Sequence, residues 1–308
     1  MTASCRKFPL LGFLCMAIAA AAHGAKEEDY TVKCKSDDGF LQIYTAHPLE
    51  PGRCKAIVTR VLKVYAFVTE RADWKDNRIL TVTPLQFALV GYSAIKVLGY
   101  AKGPNLMVMK DSYLDQPLSE GTLAHELTHI QDFRQLRGKR LPSFMFEGRA
   151  LTIGQAYRLH VGQTPGDYDR RMARSAVSFT AEQAMELLDN YGGQGWDNQA
   201  IGTVVVEYMR TAWNGGIADI NPRLSRVIER MAAGREFEQA FQDEFGVAAE
   251  AFAENFAAFL RATQADAKRR LRGTMWQSVS LDAAAMPTSA SNEDDAVGVL
   301  DITIDLLQ

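Results

Sequence analysis

The feature that most constrains this chain is "LAHELTHIQDF", residues 123–133, in which two histidines stand four positions apart. The surrounding residues predict one helix of about 18 residues, with Ser119 as its N-cap and Gly138 as its stop. At about 100° per residue, His125 and His129 differ by about 40° and therefore share one face of this helix. A pair of ordinary packed helix histidines is the alternative to a metal site.

On the helical wheel, the residues expected to pack lie apart from the residues expected to bind a metal or transfer protons. We expect one stripe to pack, formed by Leu123, Leu127, Ile130 and Arg134, while the other stripe presents both imidazoles. Glu126 falls between the stripes, about 100° from His125, where a carboxylate can lean over a metal without binding it. This position suits a general base. Asp132, about 20° from His125, is a candidate to orient an imidazole, and an ordinary surface aspartate is the alternative.

Two histidines do not complete a catalytic zinc site, because such a zinc keeps three protein ligands and leaves a fourth position to water. The segment "LPSFMFEGRALTIGQAY" offers Glu147 on a helix that Pro142 opens. Gly148 should let this helix approach the histidine helix closely. We therefore predict one Zn²⁺ per chain, with His125, His129 and Glu147 as its ligands.

The motif "HELTH" and the later "FEGRA", with 17 residues between His129 and Glu147, resemble the gluzincin metallopeptidases, the thermolysin-like branch of the zincins. The resemblance covers about residues 53–262 in the order of their elements. It implies an α+β, zincin-like fold, in which a small mixed sheet and the zinc helix precede a mostly helical C-terminal lobe. It also implies roles for four residues: His125, His129 and Glu147 as ligands and Glu126 as the base.

Many gluzincins place a tyrosine or a histidine in the helical lobe to support the oxyanion of the tetrahedral intermediate. The corresponding stretch of this chain carries Asn198 and Gln199. Tyr191 lies a little earlier and Tyr208 a little later, so each is a candidate for this catalytic role. Asparagine or glutamine can also donate a hydrogen bond to an oxyanion.

Other segments predict the remaining elements. Residues 53–73 place apolar side chains at helical intervals, which indicates an amphipathic helix. "RILTVTPL" from Arg78 and "NLMVMKD" from Asn105 favour β-strands. We expect the second of these to form the sheet edge along which an extended peptide pairs. From Ser119 onward the patterns are almost wholly helical.

The N-terminus has the plan of a secretory signal peptide, with Arg6 and Lys7 before an apolar run at 10–22. That run is shorter than the roughly 18 residues of a membrane-spanning helix, so we expect an exported protein, periplasmic or secreted, without a membrane span. In an oxidising compartment Cys34 and Cys54 should form a disulfide. A metal role for these cysteines is the weaker alternative.

These signals divide the chain into three parts. Residues 1–24 are the predicted signal peptide, and 282–308 are a predicted disordered tail, which begins with the small, polar, acidic stretch "DAAAMPTSASNEDD". Its last residues alternate apolar and polar from Leu300 to Leu306, so they could instead add a strand to a sheet edge. Between them, 25–281 form the predicted metallopeptidase domain, with an α+β part at 25–137 and a helical lobe at 138–281.

The sequence leaves three functions open. The first is a zinc metallopeptidase that hydrolyses a peptide or protein substrate. The second is a catalytically silent zinc-binding protein that recognises such a partner, and the third is an amidase acting on cell-wall peptides. Removing the signal peptide changes the formal charge from −3 to −5, and an acidic exported chain is a poor candidate for binding nucleic acid.

Overall fold

The computed structural model describes residues 31–45, 47–71, 84–91, 97–116, 118–163, 179–188, 196–214 and 220–270. The predicted signal peptide, Tyr191 and the predicted tail lie outside these ranges. Within them, the chain combines a small mixed sheet with mostly helical structure, which confirms the α+β class. No helix in these ranges has the length and apolar character needed to cross a membrane.

Five strands form the described sheet: β1 (Thr31–Lys35), β2 (Leu41–Thr45), β3 (Leu85–Val90), β4 (Gly99–Lys102) and β5 (Leu106–Lys110). Their order is β1-β2-β3-β5-β4. The three inner strands are parallel, whereas β1 and β4 run antiparallel to their neighbours. Residues 78–83 of the first predicted strand lie outside the described ranges, and β3 begins after Pro84.

The strand predicted at "NLMVMKD" is confirmed as β5, but its predicted place at the edge of the sheet is wrong. β5 lies between β3 and β4, and β4 is the outer strand. The chain reverses at Gly103, whose φ of 64° is in the left-handed region that glycine tolerates. This reversal pairs β4 with the outer side of β5, so β4 takes the edge.

Nine helices are described: α1 (Pro51–Arg71), α2 (Asp111–Leu114), α3 (Ser119–Leu136), α4 (Ser143–His160), α5 (Ala181–Leu188), α6 (Trp196–Asn214), α7 (Asn221–Ala232), α8 (Phe237–Phe245) and α9 (Ala249–Arg270). The helix predicted at 53–73 is confirmed as α1, which begins two residues earlier at a proline suited to a helix start. The predicted helical second half is confirmed as well.

The histidine helix, α3, has the predicted length, but its ends and faces differ from expectation. Leu118 is the N-cap, and Ser119 instead donates its hydroxyl to the carbonyl of Leu114 at 2.7 Å. The last residue of the helix is Leu136, and the two residues that follow it, Arg137 and Gly138, both have positive φ. The prediction of one packing stripe is wrong, because α1, β4, α4 and α7 surround α3 and bury nearly all of it.

The core consists of two hydrophobic clusters that share α4. One lies between the sheet and helices α1 and α3, and α4 contributes Ile153 and Tyr157 to it. The other lies among the helices of the second half, and α4 contributes Phe144 and Met145 to it. Because α4 packs into both clusters, it connects the sheet-containing part to the helical part.

Glycines allow the close helix contacts, although not in the predicted pairing. A Cβ added at Gly148 would lie 2.3 Å from the carbonyl oxygen of Gly202, so Gly148 permits the approach of α4 to α6, not of α4 to α3. The contact between α3 and α4 depends on Gly154 instead. A Cβ there would lie 2.7 Å from the carbonyl oxygen of Gly121.

One disulfide and one group of ion pairs connect these elements. Cys34 of β1 and Cys54 of α1 are joined as predicted, with their Cα atoms 6.0 Å apart. In the helical part, the Glu244 carboxylate of α8 pairs with three arginines of α7: Arg223 at 3.2 Å, Arg226 at 2.7 Å and Arg230 at 3.3 Å.

We predict that the double variant Cys34→Ser/Cys54→Ser is less stable than the parent by about 3 kcal/mol, because the bridge closes a loop of 20 residues in the unfolded chain. Urea unfolding of the two proteins measures the difference. Reduced parent protein is the matched control and should resemble the variant. Two free thiols in non-reduced parent protein, found by mass spectrometry, would contradict the bridge.

We also predict that Glu244 stabilises the fold in a pH-dependent way. Burial would raise the pKa of this carboxyl, but hydrogen bonds and charges from Arg226 and Arg223 outweigh burial and hold the pKa below its usual value. A lowered folded-state pKa gives stability above the unfolded pKa, and this stability is lost as the pH falls through the folded pKa.

Glu244→Gln should therefore destabilise the protein by about 1.5–3 kcal/mol at pH 7, the range for hydrogen bonds to charged groups. The difference from the parent should shrink in acid. Chemical unfolding across pH 3–7 measures it, with the exposed Glu254→Gln as control. A deficit that is the same at every pH would refute the electrostatic explanation.

Candidate metal centre

The two histidines of α3 point their ring nitrogens at each other. The Nε2 atoms of His125 and His129 lie 3.0 Å apart, and the residues are only 9 % and 5 % exposed. Leu123 and Leu127 of the same helix pack in the hydrophobic cluster between the sheet and helices α1 and α3. The four-residue spacing therefore brings two imidazoles to one point on a rigid helix, as the wheel predicts.

Glu147 of α4 completes a triangle with these nitrogens. Its Oε2 atom lies 3.5 Å from Nε2 of His125 and 3.6 Å from Nε2 of His129. Tetrahedral ligands about 2.0–2.1 Å from a zinc ion stand roughly 3.3 Å apart, close to the three observed separations. The same oxygen is buried and has no hydrogen-bond partner among the residues that the structure describes. An unpaired buried carboxylate oxygen facing two imidazoles fits a cation between them.

Glu126 also lies beside the histidines. His125, Glu126 and His129 can each offer one ligand atom within 4.8 Å of the others, so this group could hold a metal ion. However, Oε1 of Glu126 is 4.0 Å from Nε2 of His125, and its Oε2 accepts the backbone N–H of Ala101 at 2.7 Å. Glu147 is closer to both imidazoles, so we favour it as third ligand.

The charges of the site reinforce one another. Burial disfavours the protonated ring of His129, but the carboxylates of Glu147, Glu126 and Asp132 together outweigh burial and raise the pKa of His129. Burial likewise would raise the pKa of Glu147, yet His129 and His125 hold it well below its usual range. The pocket thus favours positive charge next to Glu147, which a metal cation supplies when it replaces protons on the imidazoles.

Packing orients the ring of His129. Phe146, the residue before Glu147, stacks on this imidazole with centroids 3.9 Å apart and an interplanar angle of 19°, and Phe133 lies 5.2 Å from Phe146. The Nδ1 atom of His129 is buried without a hydrogen-bond partner in the described structure. Stacking on Phe146 therefore orients the ring, a role that a hydrogen-bond acceptor usually has for a metal-binding histidine.

Asp132 is fully buried, so its interpretation as an ordinary surface aspartate is wrong. Its Oδ1 atom accepts a hydrogen bond from Nη1 of Arg149, which is equally buried, and Nη2 of Arg149 donates to Oγ of Ser225 at 3.0 Å. The sequence reasoning missed Arg149 and Ser225. The available signal was a charged residue in the middle of the otherwise apolar helix segment after Glu147.

The candidate oxyanion residues receive different environments. The Tyr208 ring is 8 % exposed and packs on Phe259 and Phe256, with centroids 4.8 and 5.5 Å away, in the core of the helical part. Asn198 is buried on α6. Tyr191 lies outside the described residues. An oxyanion role stays a prediction for both tyrosines.

Comparisons with known proteins add no family assignment. No family model and no curated protein matches the chain. The gluzincin resemblance therefore rests on the sequence motif and stays a prediction.

We predict that the protein binds about one divalent metal ion per chain and that Glu147→Gln weakens this binding by more than 100-fold. Loss of an outer partner usually weakens metal binding by about 10–100-fold, and a neutral amide in place of a ligand carboxylate should do more. Elemental analysis gives the stoichiometry, and competition with a chelator gives the affinity. Glu250→Gln, exposed on α9, is the control. Equal affinities for parent and Glu147→Gln would exclude Glu147 as a ligand.

Proposed function

We propose that this protein is a zinc-dependent metallopeptidase of the gluzincin type with a zincin-like fold. The observation that carries the proposal is the convergence of three ligand atoms, from His125, His129 and Glu147, which lie 3.0–3.6 Å from one another. A fourth residue, Glu126, lies beside them, with Oε1 4.0 Å from Nε2 of His125 and Oε2 accepting the N–H of Ala101. Two imidazoles and one carboxylate are a ligand set of catalytic zinc.

A bound zinc supplies Lewis acidity, which lowers the pKa of water and polarises a substrate carbonyl. Glu126 handles the protons: its carboxylate takes one from the attacking water and passes it to the leaving amine. The hydrogen bond from the N–H of Ala101 holds Oε2 of this carboxylate at β4, while Oε1 lies 4.0 Å from Nε2 of His125. Burial of both Glu126 and Glu147 limits access of bulk water to the reacting groups.

The position of β4 beside Glu126 is an argument for a peptide substrate. β4 is the outer strand of the described sheet, and Ala101 on it directs its N–H to Glu126 and away from β5. The outer edge of β4 in the described sheet therefore faces the candidate base. An extended peptide that pairs with this edge would carry its backbone past Glu126, as in other cases of strand addition.

We further propose that the protein acts after export, in the periplasm or outside the cell. The Cys34–Cys54 pair is joined in the structure, and disulfides persist in oxidising compartments. The signal-like N-terminus supports the same location.

We predict that Glu126→Gln keeps a metal content near one per chain but loses peptide hydrolysis by about 10²–10⁴-fold, because the amide has a similar shape and cannot accept the proton. Cleavage of a random peptide library, followed by mass spectrometry, measures the activity, and Glu250→Gln is again the control. A parent protein that binds zinc and cleaves nothing would favour the silent binding protein. Equal turnover by the parent and Glu126→Gln would defeat the proposed mechanism.

A further inference from the structure

The ion pair between Asp132 of α3 and Arg149 of α4 is the most deeply buried charge interaction described in the molecule. Both side chains have 0 % exposure. Arg149 extends the contact to a third helix, because its Nη2 atom donates to Oγ of Ser225 on α7 at 3.0 Å. One guanidinium therefore connects α3, α4 and α7.

Burial makes this arrangement a poor explanation for stability alone. Removing two charges from water carries a desolvation penalty that their attraction often only balances, and well-packed apolar residues frequently replace such pairs without loss of stability. Only the removal of one partner is strongly destabilising, since it leaves the other charge buried and unpaired. The pair should therefore contribute something that apolar packing does not provide, such as a fixed register between the helices.

The position of the pair indicates what that register serves. Asp132 lies one turn beyond His129 on α3, and Arg149 lies two residues beyond Glu147 on α4. The pair thus connects the same two helix segments that carry the ligand atoms. A metal site tolerates deviations of only about 0.2 Å in its ligand distances, so a small slide of α4 along α3 would separate Glu147 from the imidazoles.

Another directional bond between α3 and α4, from the Tyr157 hydroxyl to the Glu120 carboxylate at 2.9 Å, lies ten residues from Glu147 on α4, whereas Arg149 lies two residues from it. The remaining contacts beside the ligands resist such a slide less well. The close approach at Gly154 and Gly121 brings the helices together through backbone without directional side-chain bonds. Phe146 stacks flat on His129, and apolar surfaces in contact are non-directional. A charged, forked hydrogen bond has both direction and defined length.

We propose that Arg149 is a positioning residue for the metal centre: by holding Asp132 and Ser225 at once, it sets the register of α4 on α3 and so places Glu147 opposite His125 and His129. This inference rests on the proposed metal site. Arginine suits the task because its planar fork offers separate N–H groups to the two acceptors, whereas lysine presents a single compact charge.

The test uses three variants of the full chain. Asp132→Leu/Arg149→Met replaces the ion pair by apolar groups, so neither charge of the pair remains without the other. Arg149→Lys keeps the charge but loses the fork. Lys139→Met removes the exposed pair with Glu236 and serves as control. Zinc affinity is measured by chelator competition well below each melting temperature, and the visible absorption of the Co²⁺-loaded proteins reports the ligand geometry.

We expect the double variant to unfold cooperatively and to bind zinc about 10–100-fold more weakly than the parent, the effect typical of groups that orient ligands. Its Co²⁺ spectrum should differ from that of the parent in band position and intensity. Arg149→Lys should show a smaller change in the same direction, and Lys139→Met should match the parent.

A folded double variant with parental zinc affinity and Co²⁺ spectrum would overturn the inference. If the double variant does not fold, Arg149→Lys decides the matter by the same two measurements, and parental values overturn the inference. A parent protein that binds neither Zn²⁺ nor Co²⁺ would overturn the proposed function itself, and this inference with it.

Discussion

The contact between α3 and α4 is the constraint on which the candidate metal centre depends. Two ligand atoms lie on α3 and the third lies on α4, so the distance between these helices decides whether the atoms converge. Gly154 makes a close approach possible, because a Cβ added there would lie 2.7 Å from the carbonyl oxygen of Gly121. The geometry of the site is therefore a property of helix packing as much as of the motif.

This close packing also makes the region unusually rich in buried charge. His129, Glu147, Asp132 and Arg149 are each at most 5 % exposed. Such groups are tolerated only when they are paired, hydrogen-bonded or bound to a cation. Asp132 and Arg149 carry opposite charges and are hydrogen-bonded to each other, whereas Oε2 of Glu147 has two imidazoles beside it and no hydrogen-bond partner among the described residues. The second group of charges is thus the one suited to a metal.

The sheet contributes the remaining component. β4 lies at the edge because the chain reverses at Gly103, and this places the N–H of Ala101 against Glu126. The candidate base is consequently held by the same strand that would receive a substrate. Helix α4, which packs into both hydrophobic clusters, carries Glu147 between the sheet-containing and helical parts.

The sequence by itself determined the features that depend on local spacing. It placed both histidines on one helix face, gave the length of α3, located α1 and β5, and paired Cys34 with Cys54. Tertiary structure decided whatever depends on which elements meet. Helical periodicity could not show that Gly148 faces α6, that β4 covers β5, or that Asp132 pairs with Arg149, because these partners lie far apart in the chain and are selected by packing.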